Sequence, residues 1–156
     1  MTTIRQNRYT IVPCSRGARC EWTASPTNPD ATLQELLALQ LEDGGWSTSA
    51  LLSDWKGLAR PDDRPLQTKT SDGYGTGLII VIARELGLPA NDARLQRGVE
   101  WMHANQRESG KWFTPSPVKD CGNLISNVGS AFAVLALQAC GELPAGPFGR
   151  ETPATR

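Results

Sequence analysis

A seven-residue motif occurs twice in this chain of 156 residues and constrains its fold more than any other feature. Both copies follow the pattern Q-x-x-x-G-x-W, and the three fixed residues are offset by 66 positions. A repeat of this period is typical of proteins in which similar structural units stack on one another. The fixed residues are Gln40, Gly44 and Trp46 in the first copy and Gln106, Gly110 and Trp112 in the second.

The segments on either side of each motif predict a pair of helices. Upstream, apolar residues recur at helical spacing on one face, from Leu33 to Leu41 and from Leu95 to Met102. Downstream, segments 75–87 and 129–141 align at an offset of 54 and are apolar nearly all round. The run from Leu78 to Ile82 also suits a buried strand, but its partner segment is rich in Ala and Leu and favours a helix.

An inner helix that is apolar on all sides must be covered on all sides. The sequence therefore predicts an all-α fold of two α/α-hairpin repeats over residues 29–143, each with a half-polar outer helix and a buried inner helix. Thr32 with Glu35 forms a candidate capping box for the first outer helix, and Asn91 or Asp92 a candidate cap for the second.

The motif itself has a structural interpretation. The Gln amide can bond backbone groups near a helix end, the glycine allows a positive φ at the turn, and the indole can cover the Gln while burying a large face. We interpret it as a clasp between hairpins. The alternative is that each Trp stacks on a ligand, but two copies in register favour the structural role.

Charge and hydropathy exclude several functions. The chain has 16 basic and 16 acidic residues, which argues against nucleic-acid binding as the main activity. Its longest apolar run is Leu78 to Ala83, too short for a transmembrane segment. The cysteines match no zinc pattern, and Asp120, Cys121 and His103 are single, scattered ligand types, so we expect no metal and no cofactor.

The two ends differ from the middle of the chain. Residues 1–28 form a basic arm that we expect to be disordered, with four arginines and no acidic residue among the first 20. Residues 144–156 are rich in Pro and Gly and predict a flexible tail. No apolar stretch follows the basic start, so we expect a cytoplasmic protein, with a location at the membrane periphery as the alternative.

The two motifs, the alternation of helices and three strings carry a resemblance to a known family. The strings are SDGYGTGLIIVIARELG, QRGVEWMHANQRESGKWFT and ISNVGSAFAVLALQACG. Over residues 30 to 143 the chain resembles the repeats of squalene–hopene cyclases, within the terpenoid cyclase and protein prenyltransferase superfamily. The resemblance implies part of an α/α toroid, whose inner helices line an apolar cavity for an isoprenoid.

The resemblance also implies a catalytic acid or a zinc site, and neither has a good match in the sequence. Squalene–hopene cyclases protonate an alkene with an Asp of a D-x-D-D motif, which is absent. Asp62 and Asp63 lie in a loop between prolines. Prenyltransferases hold zinc with an Asp-x-Cys pair and a distant His, whereas Asp120 and Cys121 are adjacent and His103 falls on an outer helix.

The remaining polar candidates lie where the inner helices begin. In a toroid these positions face the cavity mouth, so Asp72 and Tyr74 are the candidates for proton transfer and Ser71, Thr76 and Asn127 for ligand binding. The simpler interpretation is helix capping by Ser71 or Asp72 and by Ser126 or Asn127. Asn123 and Ser130 belong to the same polar cluster.

A closed toroid of this kind uses about six hairpins, and the sequence supplies two. We therefore expect the chain to bind an isoprenoid or to self-associate, or to need a partner chain that completes the ring, rather than to act as a competent cyclase alone. The alternatives are a non-catalytic protein-interaction module and a fragment of a larger cyclase-like protein. Within the long loop 47–70, residues 50–58 predict a short amphipathic helix that caps the stack or packs on a partner.

Overall fold

The computed structural model describes residues 28–52, 65–117 and 124–144. Within these ranges every regular element is a helix, so the described chain is all-α. The basic arm, most of the tail, Asp62, Asp63, Asp120, Cys121 and Asn123 lie outside the described residues, as do residues 53–64 of the long loop. The helices are α1 (Pro29–Leu37), α2 (Thr48–Leu51), α3 (Gly73–Glu85), α4 (Ala93–Asn105) and α5 (Leu124–Ala139).

The outer helices α1 and α4 are capped at their first turns. Asn28 accepts a hydrogen bond from the backbone N–H of Asp30, and Pro29 occupies the first turn, where a missing N–H costs nothing. The proposed capping box of Thr32 and Glu35 is wrong because α1 begins three residues before Thr32. Asp92 caps α4 and accepts from the N–H of Arg94, in agreement with one of the two predicted caps.

The inner helices α3 and α5 lie in close contact. A Cβ added at Gly77 would be 2.6 Å from the carbonyl carbon of Phe132, so the two backbones approach more closely than a larger side chain allows. The ring of Tyr74 meets that of Phe132 edge to face, with centroids 5.1 Å apart. The run from Leu78 to Ile82 is helical, which confirms the helix interpretation over the strand.

Both inner helices end in the same way. Gly87 and Gly141 have φ values of 87° and 84°, and the next residue donates its N–H to a carbonyl five positions upstream. The glycines are 54 positions apart, as in the sequence alignment. α5 nevertheless begins earlier than expected, which makes Ser126 and Asn127 internal helix residues and excludes them as caps.

The buried apolar residues form one core cluster between the outer and inner helices. Each outer helix contributes residues at helical spacing, and each inner helix contributes the face turned toward its neighbours. Both motif tryptophans belong to this cluster. Its members are Leu33, Leu37, Trp46, Ile79, Ile80, Ala83, Leu95, Val99, Trp101, Met102, Trp112, Ala133, Ala136 and Leu137.

Candidate functional site

Asp72, the strongest catalytic candidate of the sequence, is a buried N-cap of α3 with 1% of its surface exposed. Its Oδ1 accepts hydrogen bonds from the hydroxyl of Thr48 at 2.7 Å and the N–H of Gly75 at 2.9 Å. Its Oδ2 accepts from the N–H of Thr48 at 2.7 Å. Burial raises the pKa of Asp72 above its ordinary value, while these donors oppose the rise.

The carboxylate of Asp72 is turned toward the backbone N–H groups of Thr48 and Gly75, and its role in proton transfer stays a prediction. Tyr74 is half-buried against Phe132. Of the predicted proton-transfer pair, one group thus caps a helix and the other packs against the neighbouring inner helix. The position 54 residues after Asp72 is Ser126, whose hydroxyl accepts from the N–H of Thr114 at 3.3 Å.

Two of the predicted ligand-binding residues are buried and serve internal contacts. Thr76 is fully buried; its hydroxyl accepts from the N–H of Trp46 at 2.9 Å and lies 3.3 Å from the carbonyl oxygen of Trp46. Ser71 donates to the carboxylate of Asp43 at 2.7 Å. Asn127 is exposed and accepts from the ammonium of Lys111 at 3.1 Å.

The first motif closes a turn between α1 and the inner helix. The side-chain amide of Gln40 donates to the carbonyl oxygen of Gly44 at 2.8 Å, and Gly44 has a φ of 92°. The indole N–H of Trp46 donates to the carbonyl oxygen of Leu36 in α1 at 3.1 Å. The motif thus ties the end of its outer helix to the turn and, through Thr76, to α3.

The second motif repeats this set of contacts. Gln106 donates to the carbonyl oxygen of Gly110 at 3.1 Å, and Gly110 has a φ of 75°. The indole N–H of Trp112 donates to the carbonyl oxygen of Met102 at 2.8 Å, and its backbone N–H donates to the hydroxyl of Ser130 at 3.0 Å. Acceptors on the outer helices are offset by 66 and those on the inner helices by 54, as the two motif alignments require.

The two motifs differ in what lies against them. The Gln40 amide makes a second bond, at 2.7 Å, to the carbonyl oxygen of Arg94 in α4. A Cβ added at Gly44 would lie 2.7 Å from the carbonyl oxygen of Arg97, whereas one added at Gly110 would meet only the Gln106 amide, at 4.0 Å. Helix α4 therefore covers the first motif, and no described element takes the same place on the second.

The inner helices show the same difference. Ile80 of α3 is fully buried and lies against Gly98 of α4. The equivalent residue of α5, Val134, is 45% exposed, and Leu135 beside it is 49% exposed. With Val128 and Ala131, these side chains form an exposed apolar stripe along α5.

A groove of about 460 Å³ runs along the joint between the first motif and α4. The indole N–H of Trp101 donates to the carboxylate of Asp43 at 3.0 Å inside it, and the guanidinium of Arg97 donates to the carbonyl oxygen of Glu42 at 2.8 Å. The lining is mostly polar and charged, so the groove does not match the apolar cavity expected for an isoprenoid. It is lined by Glu42, Asp43, Arg97, Glu100, Trp101, Ala104 and Asn105.

Among the described residues no group of three or more His, Cys, Asp and Glu side chains is placed to hold a metal ion. His103 lies on outer helix α4, with its Nε2 3.4 Å from a carboxylate oxygen of Glu142. Burial raises the pKa of the Cys140 thiol, so this thiol is a weaker nucleophile than an ordinary one. None of the helices in the described segments has the length and hydropathy needed to cross a membrane.

A scan against models of protein families and searches of curated proteins and of solved structures find no match to this chain.

Sequence reasoning overlooked several residues that build the joints. Thr48 and Thr114 lie two positions after each motif Trp and bond the equivalent positions Asp72 and Ser126. Their own offset of 66 was a usable signal, because it extends the motif to Q-x-x-x-G-x-W-x-T. Gly98, which admits the Trp46 ring, had no such signal because the aligned position in α1 is Thr32.

Proposed function

We propose that this chain is a squalene-cyclase-like repeat module, an incomplete portion of an α/α toroid, that works by packing against further helices. In this proposal it is not a competent cyclase on its own. The module consists of two α/α hairpins, α1 with α3 and α4 with α5. The shared hydrogen bonds of the two motifs support this division, since each motif joins one outer helix to one inner helix.

The observation that carries the proposal is the contrast between a covered and an uncovered motif. Helix α4 packs on Gln40 and Gly44, while the equivalent Gln106 and Gly110 are exposed. Val134 and Leu135 leave apolar surface exposed on α5, the helix that Trp112 of this motif bonds through Ser130. Burial of such surface is the usual driving force for association between proteins.

The surroundings of Asp72 support a non-catalytic role. An acid that protonates an alkene must reach its substrate with its proton available. Here both carboxylate oxygens accept bonds from Thr48, and one also accepts from Gly75. These contacts suit a helix cap better than a proton donor.

A second candidate function is binding of an isoprenoid without turnover. It is favoured by one observation, the apolar stripe on inner helix α5, which the resemblance to cyclases would place toward a central cavity. Val128, Ala131 and Leu135 would then contact the ligand.

The proposal is tested by incubating the full chain with squalene in detergent micelles and, separately, with a prenyl diphosphate, and analysing the products by mass spectrometry. We expect no cyclic product. A cyclic product that disappears in Asp72→Asn or in Tyr74→Phe, with the helical circular dichroism preserved, would overturn the proposal.

The isoprenoid alternative needs a binding measurement. A fluorescent squalene analogue is titrated into Leu135→Glu and into a control, Leu143→Glu, which changes an exposed apolar residue beyond the end of α5. Loss of binding in Leu135→Glu alone would favour the isoprenoid function. Equal binding by the two variants, or none by the wild type, would count against it.

A further inference from the structure

The internal joint between the first motif and α4 gives a template for what covers the second motif. We infer that a second copy of this chain does so, head to tail, with its helix α1 seated on the second motif and its helix α3 beside α5. This inference rests on the proposed function, because it names the partner of the packing module. The proposed joint has two surfaces. Their residues are assigned by equivalence to the residues of the internal joint, where the first hairpin meets α4 and α5.

The first surface, called the forward face, surrounds the second motif and is open. Its members are the residues equivalent to those that α4 and α5 cover in the first hairpin. All are exposed. They are Gln106, Gly110, Val128, Ala131, Val134 and Leu135.

The second surface, called the back face, belongs to α1 and α3. Helix α1 aligns with α4 at the offset of 66, so its residues can be matched to those of α4 that touch the first motif. The matched residues on α1 are exposed, and those on α3 are partly exposed. They are Asn28, Ala31, Thr32 and Glu35 on α1 and Leu78 and Ile82 on α3.

The two faces match in their hydrogen bonding. In the internal joint the Gln40 amide donates to the carbonyl oxygen of Arg94, in the first turn of α4. Among the described residues the Gln106 amide bonds Gly110 of its own turn, and in the proposed joint it also reaches the carbonyl oxygen of Asn28, the N-cap of α1. Ala31 takes the place of Arg97, whose carbonyl oxygen lies against Gly44.

The outer layer of the proposed joint is more widely spaced than that of the internal joint. Gly98 of α4 lies against Trp46 and Ile80, where an added Cβ would be 2.9 Å from the ring and 3.0 Å from the Ile80 methyl. In the proposed joint Thr32 replaces Gly98, and the smaller Val134 replaces Ile80. The added volume of the first exchange is partly offset by the second, so α1 sits somewhat farther out than α4 does.

The inner layer of the proposed joint is apolar but more widely spaced than the internal one. Gly77 of α3 approaches the backbone of Phe132 in α5, where an added Cβ would be 2.6 Å from the carbonyl carbon. Ala131 is the equivalent of Gly77 and carries that Cβ, and Leu78 is the equivalent of Phe132, so the α3 of the second copy must lie farther from α5 than α5 lies from α3 within one chain. The stripe on α5 then faces the half-buried apolar side chains Leu78 and Ile82.

Charge favours the internal joint. The turn of the first motif carries Glu42 and Asp43. Helix α4 faces it with Arg97, whose guanidinium donates to the Glu42 carbonyl oxygen at 2.8 Å, and with Trp101, which donates to Asp43. An acidic turn thus meets a helix that supplies donors.

In the proposed joint the turn is basic and the helix is acidic. The charges are therefore reversed relative to the internal joint but are still complementary. The turn of the second motif carries Arg107 and Lys111 against a single acid, Glu108. The back face of α1 carries Glu35, Asp30 lies on the same helix next to back-face residue Ala31 in the chain, and α1 has no basic residue. Opposite charges on facing surfaces orient two partners and disfavour other pairings.

A head-to-tail contact uses two different surfaces of one chain, so it propagates into a ring or an open chain of copies. This property gives a sharp test by analytical ultracentrifugation of the full chain over a wide concentration range. We expect the mass of the wild type to rise with concentration. Forward-face variant Leu135→Glu and back-face variant Thr32→Arg should each stay monomeric, because both change exposed side chains and leave the fold intact.

Mixing the two variants decides the geometry. Leu135→Glu keeps an intact back face and Thr32→Arg keeps an intact forward face, so the equimolar mixture should form a dimer and nothing larger. The control Leu143→Glu should associate like the wild type, because Leu143 is an exposed apolar residue beyond the end of α5 and belongs to neither face.

Three outcomes would overturn the inference. They are a wild type that stays monomeric at all concentrations, as when another segment of the chain covers the forward face; a Thr32→Arg variant that associates normally, as in a symmetric contact between forward faces; and a mixture that stays monomeric. None of these outcomes affects the assay for cyclic products, so the proposed absence of cyclase activity is tested separately.

Discussion

The two motif copies hold their own hairpins in the same way but have different neighbours. In both, the Gln amide bonds the glycine carbonyl, the indole bonds the outer helix, and a hydroxyl of the inner helix bonds the Trp backbone N–H. Only the first copy is also covered by α4. The comparison separates residues that build one hairpin from residues that join hairpins, which a single motif could not do.

The largest expected effects come from the contacts that both copies share. Trp46→Ala and Trp112→Ala each remove a side chain that is at least 98% buried, so each should lower the free energy of unfolding by about 3–5 kcal/mol. Trp46→Ala should lie at the upper end, because α4 also packs on that ring. Urea denaturation measures both. Losses below about 1 kcal/mol in both variants would show that the motif is not structural.

The glycines should separate the covered motif from the uncovered one. Both have a positive φ, which costs an alanine about 1–2 kcal/mol, so Gly110→Ala should lose about that amount. Gly44→Ala also drives its Cβ against the carbonyl oxygen of Arg97, which should bring the loss to about 2–4 kcal/mol. The same denaturation experiment compares them. Equal losses would contradict the placement of α4 over the first turn.

The glutamines should give a smaller difference of the same sign. Gln40→Ala removes hydrogen bonds to the Gly44 and Arg94 carbonyl oxygens in a partly buried site, which should cost about 1–2 kcal/mol. Gln106→Ala removes one exposed bond and should cost less than about 0.5 kcal/mol in a monomeric sample. A larger loss for Gln106→Ala, measured at low protein concentration, would reverse the comparison.

The smallest expected effect is on the pH dependence of stability. Burial raises the pKa of folded Asp72 above the ordinary 3.8, so between 3.8 and that raised pKa the folded state binds more protons than the unfolded state. The contribution of Asp72 to stability therefore falls as the pH rises through this window. Asp72→Ser, which copies Ser126 of the second hairpin, should remove this part of the pH slope.

Asp92 provides the control of opposite sign. The hydrogen bond from Arg94 lowers the pKa of Asp92, so its contribution is present above the unfolded value of 3.8 and is lost as the pH falls. Asp92→Asn should therefore remove a contribution that makes the free energy of unfolding increase as the pH rises. Urea melts from acid to neutral pH measure both, and a pH slope unchanged by Asp72→Ser would contradict the assignment to Asp72.

Much of the fold could be predicted from local sequence, whereas the site could not. Apolar spacing from Leu33 to Leu41 and around segments 75–87 and 129–141 identified helices, because helix periodicity is a local property. The start of α1 was missed because Asn28 competes with Thr32 as a cap and both suit the position. The orientation of Asp72 was missed because its partner Thr48 lies 24 residues away.

The sequence by itself determined that the chain carries one motif twice, each copy with a Gln, a Gly and a Trp that make the same hydrogen bonds. Repetition is visible in sequence because equivalent contacts demand equivalent residues. Only the tertiary structure decided that α4 covers the first copy and that no described helix covers the second. Burial depends on which helix lies across a surface. Ile80 and Val134 are both apolar, but α4 covers Ile80, whereas Val134 is exposed.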